Sequence, residues 1–223
     1  MTSPRSTIIL PLLVACAGVA LFSLMDAVMK ALALPLGAYN ALLWRTLAAV
    51  TLGGSVYALR RSARPTRAAI AMHIKRGVIV AAMALLFFWA VTVLPLAEAI
   101  ALSFIAPLIA LYLAAALLGE KIGRAAILAS LLGLAGVAVI MAGRFGGSDY
   151  APEALWGALA VFASAILFAY NLILARQQAQ LAKPAEIAFF QSLIVLLTLS
   201  LAAPWLAVVP APVHIPALVG AAA

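Results

Sequence analysis

A chain of 223 residues with a net charge of +8, 68% hydrophobic and 9% charged side chains and a mean hydropathy of +1.22 is too apolar for a soluble domain. Such a domain is roughly a quarter charged. The absence of polar tracts and of a Gly-X-Y repeat excludes disordered and fibrous chains, and the basic residues, set in short gaps between apolar runs, exclude a nucleic-acid face. What remains is an integral membrane protein with the lipid bilayer as its surroundings.

About 20 mostly apolar residues are needed to cross the hydrocarbon core. Seven stretches qualify: Ile8 to Met25, Leu36 to Leu59 broken only by Arg45, Gly77 to Ala97, Ala99 to Gly119, Ala125 to Gly143, Ala154 to Ala175 and Ile187 to about Val208. None alternates apolar and polar residues as a barrel strand does, so the expected fold class is an all-α polytopic membrane helix bundle. One cysteine rules out an internal disulfide. With His73 and His214 both predicted in loops, no metal-ligand spacing arises and no cofactor is expected.

In the first span Leu13-Val14-Ala15-Cys16 is similar to a lipoprotein cleavage box, but the run stays apolar for nine residues past Cys16. Cys16 therefore reads as a membrane-embedded thiol. Asp26 and Lys30, four apart with the acid first, are predicted to form an ion pair at the outer mouth. Arg45 lies nine residues into the second span, about 14 Å deep at 1.5 Å per residue. An arginine there costs at least roughly 2.5 to 3.5 kcal/mol, so it must face a cavity or a partner. Either its planar fork binds a substrate carboxylate or phosphate, or it pairs permanently with Glu98 or Asp26.

The basic loop from Arg60 to Arg76 reads as a solvated stop signal, with recruitment of anionic lipid as the alternative. Leu94-Pro95-Leu96 reverses the chain between the third and fourth spans. Glu98, at the start of the fourth, is the candidate coupling group of a proton-driven cycle, although its nearness to the interface favours hydration. Further along, Pro107 lacks the N–H that would bond the Ser103 carbonyl, which places a kink either beside a substrate path or in ordinary packing. Glu120 and Lys121 are expected to fix the loop that follows. On the fifth span Ala126, Ala129, Gly133 and Gly136 make one small-residue face, expected to pack on a neighbouring span or, alternatively, to form a homodimer seam. Asn171 shares a face of the sixth span with Ser164 and Leu167, and Gln191 shares one of the seventh with Val195 and Thr198. These groups are candidates to bond a small-molecule substrate or each other. Trp44, Trp89, Phe22 and Tyr112 are candidates to wall an apolar pocket, with plain packing as the alternative.

Counting sides alternately, Arg5, Arg60, Arg61, Arg64, Arg67, Lys75, Arg76, Lys121, Arg124, Arg176 and Lys183 fall on one face of the membrane. Only Lys30 and Arg144 fall on the other. This eleven-to-two bias predicts a cytoplasmic N-terminus in a cell (inner) membrane. Sliding the sequence by 146 residues puts Leu21-Phe22 on Leu167-Phe168, Lys30 on Arg176 and Trp44-Arg45-Thr46 on Phe190-Gln191-Ser192. Five spans, an odd number, separate the copies, so the second enters the membrane from the opposite side, as in inverted-repeat transporters. A five-span unit would leave the second copy incomplete. Ile215 to Ala223 spans about 14 Å as helix, too little to cross, so the chain is expected to be most of a ten-span protein or a truncated product.

Leu94-Pro95-Leu96-Ala97-Glu98-Ala99, Ser103-Phe104-Ile105-Ala106-Pro107-Leu108, Leu117-Leu118-Gly119-Glu120-Lys121 and Gly133-Leu134-Ala135-Gly136-Val137 together resemble the EamA-type transporters of the drug/metabolite transporter superfamily. Lys30 and Arg45 also match that pattern. The resemblance implies two five-helix repeats: a first over residues 1–143, and a partial second over 154–223 with two transmembrane helices and the start of a third. It also implies export or uptake of small metabolites, often amino acids, nucleosides or amphipathic compounds. The leading expectation is a secondary transporter working by alternating access, and no P-loop supports an ATP-driven pump. A partner-dependent or inactive fragment is one alternative. A membrane-embedded lipid-modifying enzyme is another, disfavoured because the six acids are scattered and no HExxH or GxSxG occurs.

Overall fold

The computed structural model describes residues 4–60, 65–119, 123–145 and 152–222, and every regular element among them is helical. The first helix, α1 (Pro4–Leu36), is separated from α2 (Ala38–Leu59) by Gly37 alone. Its φ of 76° lies in the left-handed region, where a Cβ is strained. Thr66 caps α3 (Arg67–Val93) by accepting the Ala69 N–H at 3.2 Å. That helix stops at Leu94, which is extended because Pro95 follows it. Next come α4 (Leu96–Ser103) and α5 (Ile105–Leu118), parted at Phe104, and Gly119 ends α5 with a φ of 68°. After α6 (Arg124–Phe145) and α7 (Pro152–Leu181), Pro184 opens α8 (Pro184–Ser200) from its first turn. The short helices α9 (Ala203–Leu206) and α10 (Ile215–Gly220) follow, with a 3-10 turn at Pro212–His214 between them.

Among the described residues, five segments are long and apolar enough to cross a bilayer: Cys16–Leu36, Ala38–Leu59, Arg67–Val93, Leu96–Leu117 and Glu153–Leu181. The protein is thus a multi-pass membrane helix bundle. Its helices run past the predicted limits where charge had seemed to end them. The first apolar span reaches Leu36 instead of Met25, so Asp26 and Lys30 lie within a helix. The third begins at Arg67 instead of Gly77, which takes His73, Lys75 and Arg76 out of the predicted loop; His73 is fully buried. The seventh ends early, at Ser200, and its 17 residues fall short of the usual spanning length.

α3 lies at the centre, packed on α7 and α8, while α2 packs on α8. Two glycines allow the closest approaches. A Cβ on Gly77 would sit 2.4 Å from Ile194 Cγ2, and one on Gly157 would sit 2.7 Å from Val93 Cγ2. Met29, Leu42, Val91, Val161 and Leu199 fill the core between α1, α2, α3, α7 and α8. Lipid is as apolar as leucine, so close packing and buried hydrogen bonds, more than the hydrophobic effect, hold such helices together. The small-residue face of α6 is left uncovered instead of packing on a neighbouring span: Gly133 and Gly136 have no atom within 4 Å of an added Cβ. Glu120 and Lys121 lie outside the described residues. Under the 146-residue offset, Leu36 and Ala38 fall on 182 and 184, so the α1–α2 and α7–α8 breaks coincide to within a residue.

Candidate functional site

A cavity of about 330 Å³ opens between α1, α2, α3, α4, α5 and α7. Its walls are mostly apolar. Phe22 comes from α1, Phe87 and Phe88 from the far half of α3, and Phe168 from α7, with Met25 and Met83 between them. Two charges enter this space, Asp26 from α1 and Arg45 from α2, and Ser103 and Ser164 add hydroxyls at the margin.

Asp26 is buried, 4% exposed, and the opposite charges of Asp26 and Arg45 act on each other without forming a direct ion pair. The guanidinium is held elsewhere. Its Nε donates to the Ala221 carbonyl at 2.8 Å, just past the end of α10, and its Nη2 contacts Met25 Sδ at 3.2 Å. Guanidinium carries five N–H donors, so most of its capacity stays open toward the cavity. Both serines have partners: Ser103 Oγ donates to Ala99 O at 2.8 Å and Ser164 Oγ to Met83 O at 2.8 Å. The second of these bonds pins α7 to α3 beside the cavity.

The structure brings together only some of the residues singled out from sequence. Arg45, Asp26, Ser103 and Phe22 line the cavity. Lys30 does not pair with Asp26: its Nζ donates to Leu94 O at 2.8 Å, because Leu94 is the last residue before Pro95 and its carbonyl has no helical N–H to accept. Lys30 thereby ties α1 to the α3–α4 corner. Trp44 Nε1 donates to Val208 O at 2.8 Å, and Asn40 Oδ1 accepts the Val208 N–H at 2.9 Å, so α2 holds the segment before α10. Glu98 is 5% exposed in the first turn of α4, buried instead of hydrated at the interface, and is not part of the cavity lining. Trp89, Pro107 and Tyr112 are exposed on the outside of the bundle.

Asn171 and Gln191 belong to a second polar region that the sequence had not disclosed. Nearer the start of α3, Arg76 Nε donates to Asn171 Oδ1 at 2.8 Å, and Arg76 Nη1 donates to Gln178 Oε1. Gln178 Nε2 lies 2.6 Å from His73 Nδ1, and His73 Nε2 lies 3.1 Å from Glu186 Oε1. The Phe190 ring stacks on the imidazole at 5.0 Å between centroids. This chain of bonds joins α3 to both α7 and α8. Gln191, one residue past Phe190, is buried with neither amide atom paired. Among the described residues no cluster of His, Cys, Asp or Glu has the arrangement of a metal site.

The sequence profile of the EamA-like transporter family matches residues 9–142. Over 101 residues, 45% of this chain, the sequence is 34% identical to a protein of Ancylobacter novellus named "Aromatic amino acid exporter YddG". That match spans 34% of the exporter's length, about a third. A crystal structure of a protein 23% identical in sequence superposes with a TM-score of 0.62, over 88% of this chain and 70% of the other, and supports the fold alone.

Proposed function

The chain belongs to the EamA-like transporter family, and from that premise we propose that it carries zwitterionic amino acids with apolar or aromatic side chains across the membrane. One observation carries this reading: Asp26 and Arg45 face the same apolar cavity without pairing with each other. A substrate carboxylate takes the open donors of Arg45 in a charge-assisted, fork-like contact. Its ammonium lies toward Asp26, and its side chain lies among Phe22, Phe87, Phe88 and Phe168. A volume of about 330 Å³ is at the small end of ligand pockets, in keeping with a single amino acid. The exporter from Ancylobacter novellus, by its name, handles aromatic amino acids, which agrees with the phenyl lining.

Transport is secondary and works by alternating access, with the α1–α2 and α7–α8 pairs as corresponding parts of two inverted repeats. The eleven-to-two charge bias supports an N-terminus on the cytoplasmic side of a cell membrane. The test is counterflow in proteoliposomes with radiolabelled phenylalanine against two analogues, 3-phenylpropionate without the ammonium and phenethylamine without the carboxylate. The zwitterion is expected to exchange and both analogues to compete at least about tenfold more weakly, since each loses a charge-assisted bond. Equal competition by either analogue overturns the two-ended site.

A further inference from the structure

We propose that the bonded chain Glu186–His73–Gln178–Arg76–Asn171 is a proton-binding site, which shuts the bundle on one side of the cavity and lets it open when the imidazole gains a second proton. The use of that opening in a transport cycle rests on the function proposed above. The site itself follows from donor and acceptor chemistry. Guanidinium has only donors, so the Arg76 Nη1 contact fixes the Gln178 amide with its oxygen toward Arg76. The amide NH2 must then point at His73 Nδ1, which accepts. The single proton of the neutral ring therefore sits on Nε2 and is donated to the Glu186 carboxylate. Every link in the chain is fixed by its neighbour.

A proton added to His73 has no place in this arrangement. On Nδ1 it would face the Gln178 NH2, donor against donor. Turning the amide to accept it would set NH2 against Arg76, again donor against donor. Either way a bond between α3 and α7 is lost. Protonating Glu186 instead leaves an acceptor for Nε2–H and keeps the chain intact, so the ring is the group that unlocks it.

Among the described residues, the groups bonded into the chain besides His73 are Arg76 of α3, Glu186 of α8 and the amides of Asn171 and Gln178 of α7. Tyr57 of α2 packs on Phe189 and Phe190, and Phe190 covers the imidazole. Lys75 lies over the Tyr170 ring at 5.2 Å, and Arg67, Arg176 and Lys183 are exposed. Position links the chain to the cavity: Arg76 is four residues from Val80 and Asn171 three from Phe168, both on the cavity wall, a separation of about one helical turn.

The experiment uses a reporter thiol and a spectrum, both without substrate. Ala69, fully buried one turn before His73, is replaced by cysteine in a Cys16→Ala background. Its maleimide labelling rate in proteoliposomes is divided, at each pH, by that of N-acetylcysteine amide free in the same buffer, which corrects for thiol ionisation. A rise of at least about tenfold from pH 8 to pH 5.5 is expected, and a flat profile in the added variant His73→Gln. A flat profile in the reporter chain, or an unchanged rise in His73→Gln, overturns the proposal. Should His73→Gln not insert, nitrogen NMR of the His214→Gln protein, in which His73 is the single histidine, decides. The neutral Nε2–H tautomer is expected at pH 8, and the Nδ1–H tautomer or the imidazolium overturns the proposal. Loss of amino-acid exchange with the pH-dependent labelling intact overturns the transport reading alone.

Discussion

The two polar regions of this bundle lie about a turn apart on α3 and α7, yet they are built on opposite rules. In the cavity an acid and a guanidinium face each other unpaired, each with hydrogen-bonding capacity to spare. In the chain from Glu186 to Asn171 donors and acceptors are matched link by link, and a phenyl ring seals the imidazole. Unsatisfied charge in an apolar setting is costly, and it persists where something from outside completes it. A network bonded link by link spends its polar groups on neighbouring helices, and its value lies in holding those helices together. The contrast separates a region that binds from a region that fastens.

The sharpest way to break this contrast is to cut one link of the bonded chain. Gln178→Leu strips a partner from Arg76 and from His73 at once, and is expected to cost about 3 kcal/mol of stability, read as thermal unfolding in detergent. A loss below about 1 kcal/mol means that the chain is not a fastening. Next in size, Arg45→Ala is expected to lower substrate affinity about 30-fold, near 2 kcal/mol, with a smaller loss of stability of about 1 kcal/mol from the bond to the Ala221 carbonyl. Should the unfolding temperature drop and affinity stay, the roles of the two regions are reversed. The smallest effect is a null. A double-mutant cycle between Asp26→Asn and Lys30→Met is expected to give a coupling under about 0.3 kcal/mol, because the two side chains have different partners. A coupling near the 0.5 kcal/mol typical of helix pairs restores the pair that their spacing suggests.

How much of this was legible in the sequence depended on how each charge was surrounded. Arg45 stands alone in a long apolar run, and a lone charge at depth marks a cavity whatever the fold. Asp26 was visible too, but a span ended at the first charge put it at the membrane surface when it belongs to the cavity wall. The phenylalanines of the wall carried no signal, since an aromatic in a bundle is as often packing as lining. His73 and Arg76 were hidden by company: six lysines and arginines from Arg60 to Arg76 look like a solvated loop. The cue that places them in a helix is Thr66, a capping residue directly before Arg67-Ala68-Ala69-Ile70. The partners Gln178 and Glu186 are more than 100 residues away, and no local pattern pairs them with His73. The same holds for Lys30, whose partner is a carbonyl freed by a distant proline.

The break at Phe104 bears on selectivity. An unbroken helix resists bending because each turn is braced by main-chain bonds to the next. Here the brace is already absent, since Pro107 has no N–H to give the Ser103 carbonyl, and Phe104 N–H bonds back to Ala101 O at 3.1 Å. The half that carries Ile100 and Ser103 on the cavity wall can thus tilt without dragging α5, at little cost in hydrogen bonds. One side of the cavity is compliant, and the Asp26 and Arg45 anchors sit on the other helices. With the amino-acid guest proposed above, a pocket of that construction reads the charged ends strictly and the bulk between them loosely.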